Sequence, residues 1–309
     1  MPATPQHNIL WLTMDHVTFH HYRCTQGARP VLSTYERLCR EGTSFTACKS
    51  VHPLCLPARA SMLTGLYSHN HGKVNNDAHA EPSATLVCEL LRDAGFDLGY
   101  FGKNHSGIES ERFCFEGFYP QGYGNPYLTQ EYRDYLTRRQ LPDPLFYQEW
   151  GQGNRYVGTC GNGVSNLTTD DNFNRYCSGY LASPGPVHEV DFLADAALRW
   201  LDARDGSRPF VLRVDTWGPH HAYQVPLAYK DLISPGEIME YPSFRHPFGA
   251  DKPAFSAEFL QDLQRNNALR TWEDWQPIME RAYEQYSYID AALGKLIDSV
   301  RRRADDTCI

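Results

Sequence analysis

The stretch of the chain with most capacity for chemistry is Cys55-Leu56-Pro57-Ala58-Arg59-Ala60-Ser61-Met62-Leu63-Thr64-Gly65. Pro57 suits the first turn of a helix, where its missing N–H leaves no bond unmade, and this places Cys55 just before the helix N-terminus. Unpaired backbone N–H groups and the positive end of the helix dipole favour an anion there. Arg59, four residues on, falls on the same helical face and would hold a tetrahedral oxyanion beside the sulfur. Taken alone, the pair also reads as a structural cysteine with a surface arginine. Asp15 follows an apolar run, where a lone aspartate is a turn residue or a helix cap. Gly102-Lys103-Asn104-His105 follows a second apolar run, where a lysine is otherwise a solvated charge, and Asp215-Thr216-Trp217-Gly218-Pro219-His220-His221 follows a third. The pairs His20-His21 and His69 with His71 lack the Cys or acidic spacing of a zinc site and read as loop or helix-surface residues. By chemistry alone these residues support an anion site near Cys55, with Arg59 and Lys103 as positive partners.

Strands must deliver these side chains to one place. Asn8 to Met14 (NILWLTM) ends in the polar pair Asp15-His16 and reads as a buried strand feeding a loop. Pro30 to Glu41 spaces Val31, Leu32, Tyr35 and Leu38 on one helical face, Gly42 supplies the stop, and a short strand is expected at Thr43 to Cys48. Ala84 to Ala94 reads as a helix capped by Ser83 and closed by Gly95, followed by a strand at Asp97 to Phe101. Val190 to Arg204 carries a stripe of Val190, Leu193, Ala194, Ala197, Leu198 and Leu201, and Pro209 to Val214 follows as another strand. Helices that lead repeatedly into strands define an α/β fold. Residues 107 to 187 show little periodicity beyond a helix at Tyr127 to Gln140, and are expected to form an insertion of long loops shaping a substrate pocket. A long helical pattern runs from Thr271 to Arg303. No linker divides the chain, so residues 1 to 309 read as one domain, with its C-terminal edge unfinished.

Composition narrows the function classes. The 309 residues are 41% hydrophobic with a formal net charge of -8, which argues against a general nucleic-acid binder. No apolar run approaches the roughly 20 residues that span a bilayer, and Ile9 to Met14 is too short for a signal-peptide core. A cytoplasmic protein without membrane contact is the expectation. The 9 cysteines are scattered without a C-x-x-C pair, so neither a disulfide framework nor a zinc knuckle is expected. Asn166-Leu167-Thr168 reads as a polar loop rather than a glycosylation site.

Cys55, Pro57, Arg59, Thr64 and Gly65 together resemble the sulfatase signature, C-x-P-x-R followed by a Thr-Gly turn. The resemblance implies an alkaline-phosphatase-like fold with a central, mostly parallel mixed sheet between helix layers. It implies that Cys55 is oxidised to formylglycine by a formylglycine-generating enzyme. The hydrated aldehyde of such enzymes attacks the sulfur of a small sulfate ester and later expels sulfate, a release route closed to a thiol. A cysteine phosphatase loop is excluded, because it needs Arg six residues after the Cys and position 61 is Ser. Further matches follow in the family's order. Asp15 resembles the strand-end ligand of the divalent cation, Asn76 a residue facing the substrate oxyanion, and Lys103 and His105 the family's Gly-Lys-x-His. His220 resembles the histidine that assists leaving-group departure, with His221 one residue away.

Many members carry a second Asp after the first, where this chain has His16. The pattern is thus closer to choline-sulfatase-like and phosphonate monoester hydrolase-like members. The resemblance implies Asp15, His16 and Cys55 as metal ligands, with calcium as the family's cation, magnesium or manganese as alternatives, and His16 favouring manganese. The family's remaining cation ligands follow a later strand, and Asp306 to Ile309 resembles the start of that strand. An N-terminal portion of a sulfatase is therefore expected. Two alternatives stand beside it: a phosphonate or phosphate ester hydrolase of the same superfamily, and a catalytically incomplete fragment that binds a partner through its open sheet edge.

Overall fold

The computed structural model describes residues 7–18, 27–77, 81–150, 157–159, 178–242, 244, 261, 270–304 and 306–309. The His20-His21 pair, the 166–168 tripeptide and much of the 107–187 segment lie outside the described residues. Seven helices are used below: α1 (Ser33–Glu41), α2 (Cys55–Thr64), α3 (Ser68–His71), α4 (Val87–Asp93), α5 (Gln130–Arg139), α6 (Glu189–Ala203) and α7 (Trp272–Arg301). One sheet is built from β1 (Asn8–Met14), β2 (Asp97–Gly102) and β3 (Glu116–Phe118). A second contains β4 (Leu145–Trp150), β5 (Val157–Thr159) and β6 (Ser178–Leu181). β7 (Phe210–Thr216) and β9 (Thr307–Cys308) complete the first sheet, and β8 (Tyr223–Pro226) the second.

The five-stranded sheet runs β3-β2-β7-β1-β9, and every pairing in it is parallel. Its faces follow from the two-residue period of a strand. Phe210, Leu212 and Val214 of β7 enter a core with Val190, Leu193 and Ala197 of α6 and Ile289, Leu293 and Ile297 of α7. Val211 points the other way, into a second core with Ala60 and Leu63 of α2 and Cys88 of α4. Helices therefore cover both faces, as a parallel sheet requires. On β2, Gly99 occupies the α6 side because a Cβ there would stand 2.8 Å from the Trp200 ring. α7 starts at a reciprocal cap: Thr271 Oγ1 accepts from the Asp274 N–H, and the Asp274 carboxylate accepts from the Thr271 N–H.

Three expectations need correction. Thr43 to Cys48 is a solvent-exposed turn rather than a strand, since no strand among the described residues pairs with it and Phe45 is 79% exposed. The helix expected over Ala84 to Ala94 begins only at Val87, and Ser83 does not cap it. The Arg112 guanidinium binds the Pro82 and Ala84 carbonyls in an extended segment, and the Glu89 carboxylate instead accepts from the Leu86 N–H at 2.6 Å. The 107–187 segment is more than loops, because β4, β5 and β6 join β8 in a four-stranded sheet ordered β5-β4-β6-β8. The expected helix within it is α5, capped by the Thr129 hydroxyl. Among the described residues no helix is long and apolar enough to cross a membrane.

Candidate active site

β1, β7 and β2 end side by side, with Met14 opposite Thr216 and Gly102 opposite Asp215. In parallel α/β sheets this carboxyl edge is where ligands are held. Asp15 follows β1, Lys103 follows β2, and Asp215 is the penultimate residue of β7. Gly102 makes the junction possible: its φ is +126°, and a Cβ would lie 1.8 Å from the Asp215 carbonyl oxygen. Lys103 is wholly buried and donates from Nζ to Asp15 Oδ2 at 2.6 Å. Arg59, 3% exposed, donates to Asp15 Oδ1 at 3.2 Å, to Asp215 Oδ2 at 2.9 Å and to the Lys103 carbonyl. Arg213 donates to Asp215 Oδ2 at 2.6 Å, and the Tyr100 hydroxyl reaches the same oxygen at 3.1 Å.

Three cations thus meet two carboxylates in one buried cluster. Burial pushes the Asp15 carboxyl up, but the Lys103 ammonium and Arg59 guanidinium outweigh it and hold Asp15 below its ordinary value. Burial likewise acts on Asp215, where Arg213 and Arg59 win and keep it ionised. Burial lowers Lys103 despite the neighbouring Asp15. Arg59 was expected to grip an oxyanion. In the structure its guanidinium bonds Asp15, Asp215 and the Lys103 carbonyl and so ties the strand ends together.

Cys55 is the first residue of α2, with Leu54 as N-cap, one position further into the helix than the sequence indicates. Its thiol is half-buried. Asn76 Oδ1 accepts from the Leu56 N–H at 3.3 Å and lies 3.9 Å from Cys55 Sγ. The exposed Asn76 therefore occupies one of the backbone donors at the start of α2.

His105 and His220 flank a residue the sequence did not single out. The Tyr123 ring covers Lys103 Nζ at 3.8 Å, meets His105 edge-on at 5.2 Å, and places its hydroxyl 3.2 Å from His220 Nδ1. Nothing in the Gly122-Tyr123-Gly124 context announces this, since the contacts come from β2 and from the loop after β7. His105 adopts φ +38°, its N–H donates to the Gly122 carbonyl at 3.0 Å, and its buried Nδ1 has no partner. Burial first, then Lys103, lowers the pKa of His105 and of His220 to about 4. Both imidazoles are therefore uncharged at neutral pH.

Glu189, the first residue of α6, also escaped the sequence reading. Its Oε1 accepts from the Gly218 N–H at 3.0 Å, directly under the loop that carries His220. Burial drives its pKa up to about 8 against the backbone bonds from Gly218 and Trp217, so it is protonated at neutral pH. His71 corrects a further expectation: it is 3% exposed, with Nε2 2.9 Å from Ser61 Oγ and Nδ1 accepting from the Lys73 N–H. With Nδ1 accepting, Nε2 bears the proton, so this pair offers no base to Ser61.

A parallel sheet that sets a charged cluster and two neutral imidazoles beside a helix-terminal cysteine defines an α/β protein with a charged cluster at the strand ends. The chain belongs to the sulfatase family, whose profile, described as Sulfatase, matches residues 7–309. Its relatives include a choline-sulfatase of Rhizobium meliloti, 26% identical over 267 residues, which cover 83% of this chain and 47% of that protein. An N-acetylglucosamine-6-O-sulfatase of Bacteroides thetaiotaomicron is 26% identical over 220 residues, covering 70% of this chain and 31% of that one. The phosphonate monoester hydrolase of Agrobacterium radiobacter has the same alkaline-phosphatase-like fold, with a TM-score of 0.70 at 18% identity, over 98% of this chain and 61% of that one. The chain thus spans less than half the length of these two curated relatives.

The family implies a divalent cation and formylglycine. The donors in place do not form a hard, all-oxygen shell: both Asp15 oxygens already accept from Lys103 and Arg59, so a cation there would face two positive charges. The expected ligands Asp15, His16 and Cys55 do not converge. Among the described residues the metal-ligating groups that do are His16, His220 and His221.

Proposed function

We propose that this chain carries the nucleophile-bearing half of a sulfuric ester hydrolase acting on small sulfate esters. The observation that supports it most is the placement of Cys55. A half-buried side chain at a helix N-terminus lies at the carboxyl edge of the sheet, where buried cations outnumber carboxylates. Oxidation of Cys55 to formylglycine would supply the geminal-diol nucleophile and the sulfate-release route that a thiol lacks.

The chain's own residues do the rest. The N-terminal N–H groups of α2 and the excess positive charge of the Arg59, Lys103 and Arg213 cluster draw the ester's oxyanion towards position 55. Lys103 is the cation best placed to share its charge between Asp15 and an oxyanion, with Tyr123 shielding it from water. His105 and His220, uncharged at rest, enter as hydrogen-bond partners, with His105 the proton acceptor. The negative charge of the sulfate ester beside them would raise their proton affinity as it binds. The relatives named choline-sulfatase and N-acetylglucosamine-6-O-sulfatase support a small alcohol or sugar ester as the substrate class.

The test is to co-express the chain with a formylglycine-generating enzyme and determine the mass of the peptide containing residue 55. Turnover of an aryl sulfate and an aryl phosphonate is then compared for the chain and its Cys55→Ala variant. Conversion to the aldehyde, a preference for sulfate and loss of at least about a thousandfold in the variant are expected. Preference for the phosphonate would transfer the reading to phosphonate ester hydrolysis. Unmodified Cys55, or activity that survives C55A, would sink both.

A further inference from the structure

Two loops bring three imidazoles together beside the anion site. His16 leaves the end of β1 with φ +62°, an uncommon conformation for a residue with a Cβ, and its carbonyl is held by the Tyr286 hydroxyl at 3.0 Å. His220 and His221 come from the turn after β7, their ring centroids 4.2 Å apart. The His16 ring packs edge-on against both, at 5.0 Å from His220 and 5.7 Å from His221. One nitrogen of each ring lies within 4.8 Å of the other two.

We propose that His16, His220 and His221 form a binding site for a borderline transition-metal ion, of the zinc or cobalt class. Metal–nitrogen bonds of about 2.0–2.1 Å in a tetrahedron space their nitrogens about 3.4 Å apart. Closing the cluster from separations within 4.8 Å therefore brings each pair of nitrogens nearer by at most about 1.4 Å. The His221 carbonyl lies 2.7 Å from His220 Nδ1 and accepts its proton. That fixes the tautomer and leaves Nε2 with the lone pair, the orienting contact that metal-binding histidines commonly show. Three imidazoles select against calcium and magnesium, which take oxygen ligands, and favour nitrogen-preferring ions. A three-histidine set also leaves a fourth position open to water or an oxyanion. The anion-drawing cluster is next to it, because Asp15 precedes His16 directly. The proposal stands on the imidazole geometry and does not require Cys55 to be oxidised.

The test is titration of the metal-free full chain with Co2+, followed by its visible absorption, and with Zn2+ by calorimetry. The His16→Gln and His221→Gln variants are titrated in parallel, and their circular dichroism checks that they are folded. One equivalent bound, intense four- or five-coordinate d–d bands and a loss of about tenfold or more in affinity in each variant are expected. Millimolar Ca2+ should not displace the ion. Three results would overturn the site: the weak spectrum of hydrated Co2+, full affinity in both variants, or thiolate charge-transfer bands that place the ion on cysteine. If aryl sulfate turnover fails while metal binding holds, the sulfatase reading falls and this one stands.

Discussion

Asp215 is the residue on which the site's charge balance turns. It is fully buried, it pairs with Arg213, which is also fully buried, and it shares Arg59 with Asp15. Removing one partner of such a pair leaves an uncompensated buried charge, which costs about 3–5 kcal/mol. Asp215→Asn is therefore expected to lower stability by about that amount and to loosen Arg59 and the Lys103 carbonyl together. Urea unfolding of both proteins would measure it, and a loss below about 1 kcal/mol would show that the cluster is solvated. The sequence hinted at this pair without revealing its purpose. Arg213 and Asp215 stand two apart in an otherwise apolar strand, so they must share one face, and two charges on a buried face must be paired. Which helix brings the third partner is a tertiary fact, and Arg59 accordingly looked free to bind substrate.

α6 shows how far periodicity reaches. Its stripe of Val190, Leu193, Ala197 and Leu201 was legible because burial on one face forces that spacing. The same holds for β2 and β7, whose apolar runs identify strands buried on both faces, whereas in β1 only Leu10 is fully buried. The second sheet was illegible: β5 and β6 are three and four residues long, and their pairing comes from distant segments rather than local pattern. Glu189 was hidden for another reason, since an acidic residue in a helix's first turn is ordinary until the helix start is buried under a loop. Its protonation gives a test. Because the folded-state pKa of about 8 lies above the ordinary 4.5, Glu189's contribution is full below 4.5 and is lost as pH rises through 8. Glu189→Gln keeps an acceptor for the Gly218 N–H but cannot ionise. Melting curves from pH 5 to 9 should show the variant gaining on the parent by up to about 1.4 kcal/mol per pH unit inside that window, and nothing further above it. A pH-independent difference would mean that Glu189 is ionised in the folded protein.

Across the whole molecule, the chain's two ends close one sheet while the chemistry sits at that sheet's other edge. β9 pairs with Asn8 and Ile9 at the start of β1, and Asn8 Nδ2 donates to Asp306 Oδ1 at 2.7 Å. Asp15 and His16 lie beyond the far end of the same strand, about 20 Å away at roughly 3.3 Å per residue. Stability and site should therefore respond separately to changes at β9. Removing residues 304–309 deletes two ladder positions and that side-chain bond, at an expected cost of about 1–2 kcal/mol. It also bares the backbone donors and acceptors of β1, an edge that favours self-association. A lower melting temperature and concentration-dependent sedimentation are expected, while Co2+ affinity at the three histidines stays within about twofold of the parent. If metal affinity fell together with stability, β1 would be moving as a unit, and the rigid frame on which the site has been built from Asp15 outward would be the wrong description.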